Sequence, residues 1–443
     1  MKKNLTNCIS LALFLILLIG MVCLLDYLLV PMSRADFFLH DMKRMKRKGP
    51  NIDLILIGNS RYLYGLNPQV FEEVAGFENA YNASVTGLPL SSNYYITESM
   101  INYFQPKAIV FDVNWRTLLD RGLDMTQSKL LGLDRLNWPS KIRHIANDFY
   151  PSEMIYGLIR PYRYRDRLFW EGYIAENVRL KRWAESTKYE IDYYQTIKGY
   201  DKGMSCAAGP YNMADQGRFD KSLIDQHNLQ YLDKLVELCK SRNISLFLMT
   251  MPVSTMEHMN TGNYQESVDV YTNYAREKGV FYFDMNMLKN RDEIFTDNLF
   301  SDARHCCDEG ADLVSKICAE IIRDEMKGLD TGDRFYSSME QLSEDITRVV
   351  AVGADVDSSQ DTIFVNNLRA TAGKDADISF DVQFSTDGEK YETVARAKAV
   401  GTSVEITPEE KSHDNKYYIK IKGTNLINNS ETFANYTIEM KKK

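Results

Sequence analysis

Beyond Trp183 the chain has no tryptophan, although that residue is the fourth among the 443. The tail therefore lacks the broadest ring for stacking on sugars, which favours a spacer or protein-docking role for it. Basic charge is also short: 53 Lys and Arg against 61 Asp and Glu leave a net charge of −8. No basic domain exists to hold a nucleic acid. The seven cysteines make no metal motif. Cys206, Cys239 and Cys318 have no ligand spacing, Cys8 and Cys23 lie in an apolar run, and the neighbours Cys306 and Cys307 do not readily pair with each other. Neither a structural metal nor a cofactor is expected, and the redox state of the cysteines stays open.

The long apolar run is at the amino terminus. Cys8 to Leu25 carries no charge, and apolar character resumes after Asp26 through Val30, enough for a tilted helix to cross a bilayer. No Ala-x-Ala-like cleavage site follows, so residues 1–35 are expected to be an uncleaved signal anchor. The basic residues Arg34 and Lys43-Arg44-Met45-Lys46-Arg47-Lys48 pull toward a cytoplasmic body, whereas Lys2 and Lys3 pull toward a cytoplasmic amino terminus. Counted simply, the basic residues favour a cytoplasmic body, but the cluster starts more than about ten residues past the membrane, near the edge of that rule's range, so its pull is discounted. The cluster itself reads as a solvated juxtamembrane face, with anionic lipid or an anionic wall polymer as the other reading.

Chemistry is concentrated at two places. Leu54-Ile55-Leu56-Ile57-Gly58-Asn59-Ser60 is an apolar run ending in Gly-x-Ser, the pattern of a buried strand delivering a hydroxyl to the edge of a parallel sheet. Asp302-Ala303-Arg304-His305 puts a carboxylate three residues before a histidine, just ahead of an amphipathic helix from Glu309 to Met326. One loop can then carry a general base and the group that orients it. Of the other histidines, His40 is juxtamembrane, His413 lies in the tail, and His144, His227 and His258 have no strand-end carboxylate nearby.

Taken in order, these segments resemble the SGNH (GDSL-like) hydrolase superfamily, named for a Ser, a Gly, an Asn and a His in four blocks. The first is Gly58-Asn59-Ser60, with Asn59 where typical members have Asp. The second is Tyr81-Asn82-Ala83-Ser84-Val85-Thr86-Gly87, and the third is Ile109-Val110-Phe111-Asp112-Val113-Asn114, which lacks the glycine usual before the Asn. The fourth is Asp302-Ala303-Arg304-His305. The resemblance spans roughly Asp53 to Glu325. It implies Ser60, Asp302 and His305 as catalytic residues, with the Ser60 and Gly87 backbone N–H groups and the Asn114 amide as the oxyanion hole.

The expected fold class is α/β: a doubly wound parallel sheet flanked by helices over residues 36–330, behind an amino-terminal transmembrane helix and ahead of a carboxy-terminal β-sandwich. Lys107 to Val113, Ile244 to Met251 and Val280 to Asp284 read as buried strands, and Asp220 to Arg242 and Tyr264 to Lys278 as helices. Between Trp115 and Phe219 the alternation stops, and residues 115–219 read as an inserted cap rich in Arg and Tyr, as in Arg160-Pro161-Tyr162-Arg163-Tyr164-Arg165. That stretch is either a solvated face packed on the body or a polymer-binding wall. Gly328 to Glu344 is polar and irregular. From Arg348 the period is two, through Ile378, Phe380, Val382 and Phe384, then Tyr417, Ile419 and Ile421, then Tyr436, Ile438 and Met440, so residues 345–443 are expected to form the sandwich.

An anchored, extracytoplasmic member of this superfamily is similar to proteins that O-acetylate or deacetylate cell-surface polymers and to the D-alanylation protein of teichoic acids. The resemblance implies a cell-membrane, single-pass acyl-serine enzyme acting on a surface polysaccharide or wall polymer, with the lipid bilayer and a multipass membrane-bound O-acyltransferase as partners. Transfer and hydrolysis share one intermediate and stay open. A general esterase or lipase, and a catalytically inactive surface scaffold, are the other readings.

Overall fold

In the computed structural model, which describes residues 2–49, 51–119, 126–192, 194–207, 217–359, 361–408, 412 and 416–440, the chain begins with helix α1 (Lys2–Leu29) and turns into α2 (Arg34–Lys48). The stretch Ile9–Leu29 of α1 is long and apolar enough to cross a membrane; its most apolar part is not buried inside the protein, while Leu29 at its end is. Helix α2 differs: Phe38 and Met42 are buried in the body's core, while Lys43, Arg44, Lys46 and Arg47 are exposed.

The body alternates strand and helix. Strand β1 (Leu54–Ile57) leads to α3 (Ser60–Gly65) and α4 (Pro68–Ala75), β2 (Ala80–Asn82) to α5 (Leu90–Tyr103), and β3 (Ala108–Asp112) to the insert. The described part of the insert is largely helical as far as Ser186, with α6 (Thr126–Leu133), α7 (Trp138–Asp148), α8 (Met154–Leu158), α9 (Arg160–Arg163) and α10 (Tyr173–Ser186). Then follow α11 (Gln226–Ser241), β4 (Ser245–Thr250), α12 (Thr255–Asn260), α13 (Tyr264–Lys278), β5 (Phe281–Asp284), α14 (Arg291–Ile294) and α15 (Asp308–Met326). The five strands are parallel, in the order β2-β1-β3-β4-β5. This is a doubly wound sheet whose strand order reverses beside β1.

Both faces of the sheet are covered, which is why its strands read as unbroken apolar runs. Ile55, Ile57, Ile109, Phe111, Leu246 and Leu248 face α5, α11 and α2, whereas Leu54, Leu56, Val110, Phe247 and Met249 face α4 and α15. Helix α11 starts later than the expected Asp220. Asp220 caps a separate short turn at Lys221–Leu223, and Asp225 accepts the N–H groups of His227 and Asn228 to open the helix proper.

Past α15, the segment expected to be irregular contains α16 (Met339–Asp345), and its Leu342 and Ile346 pack with Val350 against Met256, Tyr264 and Met287 of the body. Strands β6 (Val349–Ser358), β7 (Ile363–Ala372), β8 (Ile378–Ser385), β9 (Glu392–Ala397), β10 (Val404–Ile406), β11 (Lys416–Asn425) and β12 (Glu431–Glu439) form two antiparallel sheets, β10-β7-β6 and β12-β11-β8-β9. They share one core around Val352, Phe380, Ile419 and Ile421, giving the β-sandwich. Arg348 holds Asp292 through two hydrogen bonds of 2.7 and 2.8 Å. A fragment ending at Lys327 is therefore expected to melt several degrees below one ending at Arg348, since only the longer one keeps Leu342, Ile346 and this ion pair; calorimetry of the two fragments checks it.

Candidate active site

At the carboxyl end of β1 the chain turns through Gly58 and Asn59 into α3, whose first residue is Ser60. The turn needs glycine, because a Cβ at position 58 would sit 2.3 Å from Asp112 Cβ and 2.8 Å from the Tyr62 ring. Asn59 pins it on both sides: its N–H donates to Asp112 Oδ2 (3.2 Å), and its Oδ1 accepts the Leu88 N–H (2.8 Å). Residue 59 thus ties the first block to the third and to the residue that follows the second.

The fourth block arrives from the other end of the body. Asp302 and His305 lie on the loop before α15, where Phe300 and Cys306 make an antiparallel bridge and Ser301 N–H donates to His305 O (2.9 Å). His305 Nε2 is 2.8 Å from Ser60 Oγ, and His305 Nδ1 is 2.8 and 3.0 Å from the Asp302 oxygens. With the Nδ1 proton donated to Asp302, Nε2 is the acceptor for the serine hydroxyl. Tyr64 sets its ring edge-on to the imidazole at 6.1 Å.

Burial pushes the Asp302 carboxyl up, but hydrogen bonds from the His305 ring and from the Arg304 and His305 N–H groups outweigh it and hold the pKa at about 2. Because the folded value is below the unfolded one, near 4, Asp302 stabilises the fold above pH ~4 and loses that contribution as pH falls through about 2. Asp302→Asn is expected to flatten this acid limb in urea titrations run between pH 5 and 2. The side chain is more than half exposed, so the effect is expected to be small.

Ser60 opens a helix, so its N–H has no partner one turn back. Gly87 ends the second block at φ +66°, with its Cβ position open apart from Ser128 Oγ at 3.8 Å. Both line one cavity of about 260 Å³ with His305, Asn114, Asp112, Arg61, Trp115, Arg116, Glu257 and Arg304. The structure therefore brings together Ser60, Gly87, Asn114 and His305 in one cavity, with Asp302 behind the histidine. Asn114 is constrained: its Oδ1 accepts the Arg116 N–H (3.0 Å), which leaves the amide nitrogen as the donating end, and that end has Asp112 as a neighbour. Burial raises the Asp112 carboxyl, and Arg61, the Asn59 N–H and Asn114 pull against it without reversing the shift.

Sequence reading missed Asp112, Glu257 and Arg304 as cavity residues. Arg304 Nε donates to the buried Glu257 at 2.6 Å, so a residue inside the Asp-x-x-His block anchors the histidine loop to α12. It also missed the Cys206–Cys307 disulfide, whose partners are 101 residues apart. The only local signal was a cysteine two residues after the base. Of the insert, Trp115, Arg116 and Thr117 reach the cavity among the described residues; its helices α9 and α10 pack on α1 instead. Residues 120–125, 193 and 208–216 of the insert, and His413, lie outside the described residues.

A second Ser-His-Asp chain exists. Ser92 Oγ is 2.9 Å from His144 Nε2, and Asp148 accepts from His144 Nδ1 (2.8 Å), His227 Nε2 (2.8 Å) and Tyr231 OH (2.7 Å). His144 and His227 thus do share a carboxylate, one that closes helix α7 rather than a strand. Ser92 and His144 have no exposed surface, so no ester reaches them, and the cluster pins α5, α7 and α11 together. Ser92→Ala is expected to leave acylation of Ser60 unchanged. His144→Ala should cost about 3 kcal/mol by leaving Asp148 with a missing partner, read as a lowered urea midpoint.

The four sequence blocks meet at the carboxyl edge of one doubly wound sheet. The body has the expected fold class, a doubly wound parallel sheet flanked by helices. No family model matches the chain, and no curated protein does. Among solved structures, a lipolytic protein of the G-D-S-L family from Desulfitobacterium hafniense is 11% identical, with 61% of this chain and 99% of that one covered at a TM-score of 0.31. An acylhydrolase from Bacteroides fragilis is 10% identical (65% and 98% covered, TM-score 0.30), and a GDSL-like lipase from Bacteroides thetaiotaomicron is 11% identical (67% and 100%, TM-score 0.30). Likenesses this distant carry no argument. The fold rests on the strand order and on where the blocks fall in this chain.

Proposed function

We propose that the protein is a membrane-anchored, extracytoplasmic acyl-serine enzyme, an O-acyltransferase or esterase acting on a surface polysaccharide or wall polymer. The observation that carries this reading is the 2.8 Å approach of Ser60 Oγ to His305 Nε2 at the wall of an open cavity, with Asp302 on the far side of the ring. Ser60 Oγ attacks the carbonyl carbon of an acyl ester as its proton passes to His305 Nε2. The negative charge on the carbonyl oxygen is met by the Ser60 and Gly87 N–H groups and the Asn114 amide. His305 returns the proton to the departing alkoxide, leaving acyl-Ser60. Water or a polymer hydroxyl, deprotonated by the same histidine, then releases the acyl group.

At the cavity rim, Trp115 with Arg116 stacked on it (4.7 Å) offers a flat aromatic and cationic surface suited to a hydroxyl-rich chain. The Cys206–Cys307 bridge supports an oxidising compartment, against the simple count of basic residues beside the anchor. A multipass membrane-bound O-acyltransferase would supply acyl groups from the bilayer.

The purified full-length protein is expected to be labelled at Ser60 by a fluorophosphonate probe and to release acetate from a small acetyl ester. Adding a polysaccharide acceptor and measuring acylated polymer against free acetate separates transfer from hydrolysis. A folded protein that neither labels nor turns over would leave the inactive scaffold. A carboxy-terminal alkaline phosphatase fusion is expected to be active; a silent one alongside a bright cytoplasmic reporter would reverse the topology.

A further inference from the structure

The inserted helices hold the end of α1 rather than the cavity. The last carbonyls of a helix have no partner within it, and here α10 supplies them. Lys181 Nζ donates to Asp26 O (3.1 Å) and Tyr27 O (2.7 Å), Asn177 Nδ2 to Leu28 O and Val30 O (3.0 Å each), and Tyr173 OH to Leu29 O (2.9 Å). A lysine there also meets the negative end of the helix dipole. Arg160 adds charge contacts with Asp26 and Asp36 at 3.9 Å each. The anchor and the body therefore form one rigid joint.

Beside that joint lies a group of large apolar side chains that are about half or more exposed. In the turn Arg165–Phe169 and the residue after it, Phe169 is 87% exposed, Trp170 53% and Leu168 48%. The turn packs against α1. Its level is fixed by aromatic contacts: the Trp170 ring is 5.9 Å from that of Tyr173, the residue bonded to Leu29, the last of the apolar span. Arg167 lies over both rings, at 5.2 and 5.0 Å. A tryptophan at the level where a spanning helix leaves the bilayer, with leucine and phenylalanine beside it and the charges of the exposed Arg165, Asp166 and Glu171 around them, has the aromatic and apolar composition of a membrane interface.

We propose that Leu168, Phe169 and Trp170 form a membrane-docking surface that inserts into the leaflet from which α1 emerges and seats the body on it. The proposal rests on reading α1 as a membrane anchor. Its consequence is that Ser60 works at a fixed height and orientation above the lipid, not on a loose tether.

The full-length protein reconstituted in phosphatidylcholine and phosphatidylglycerol vesicles tests this, with bromine carried high on the acyl chains. Bromolipid is expected to quench part of the tryptophan emission. Trp170→Phe should remove most of that quenched part, and Trp115→Phe, in the cavity, should not. Adding Phe169→Trp to the Trp170→Phe protein should restore it, a check that does not depend on the first substitution alone. Protein that floats with the vesicles but shows no quenching assigned to positions 169 and 170 overturns the docking surface, whether water or another protein covers the turn. Protein that does not float overturns the anchor reading and the docking surface with it, while labelling of Ser60 by a fluorophosphonate would still stand.

Discussion

Ser60→Ala is expected to remove covalent labelling completely and to lower ester turnover by roughly 10⁵- to 10⁶-fold, with His305→Ala nearly as severe. The two losses should be alike because the groups act as one unit: a hydroxyl 2.8 Å from a base is a nucleophile only while the base is there. Asp302→Asn should cost less, on the order of 10⁴-fold, since the carboxylate orients the ring and stabilises its cation without taking the proton. The double variant Ser60→Ala/His305→Ala should be no worse than either single. All three side chains are at least partly exposed, so their removal should leave the urea midpoint almost unchanged. Turnover of a soluble acetyl ester, followed with the unfolding curve of each variant, makes the comparison. Full turnover in Ser60→Ala would end the serine-nucleophile reading.

What the sequence made legible was local. A short apolar run such as Leu54–Ile57, ended by Gly58, has the length and punctuation of an internal parallel strand, and Asp302 with His305 fit on one loop because three residues are enough to bring a carboxylate to Nδ1. The block order then placed Ser60 and His305 at the same sheet edge. Contacts set by distant packing were not legible. His144 and Asp148 stand one helical turn apart, yet only the approach of Ser92, His227 and Tyr231 from other helices makes them a buried cluster. The Arg/Tyr stretch could be seen as unusual, but nothing in its composition says that it faces Asp26 and the end of α1. The start of α11 was misplaced because Asp220 and Asp225 are both good caps, and the chain uses both.

Removing the disulfide is the second change expected to have a large effect. Cys206→Ser/Cys307→Ser frees a loop spanning 101 residues, and in the chain-entropy account closing a loop of that size is worth about 4.7 kcal/mol. The bridge also sits where it bears on chemistry. Cys307 is two residues past His305, Asp308 accepts the Gly203 and Met204 N–H groups, and Ala207 N–H donates to Phe300 O (2.8 Å), so residues 203–207 bracket the loop that carries the base. Cys306, between His305 and the bridge, is buried with its thiol pushed up to about 12 by burial, so it is a poor competitor for the pairing. Reduction should therefore lower both the urea midpoint and the rate of Ser60 labelling, and the labelling should fall at denaturant concentrations where the sheet is still intact. If labelling instead tracks global unfolding in the reduced protein as it does in the oxidised one, the bridge stabilises the body as a whole and has no particular hold on His305.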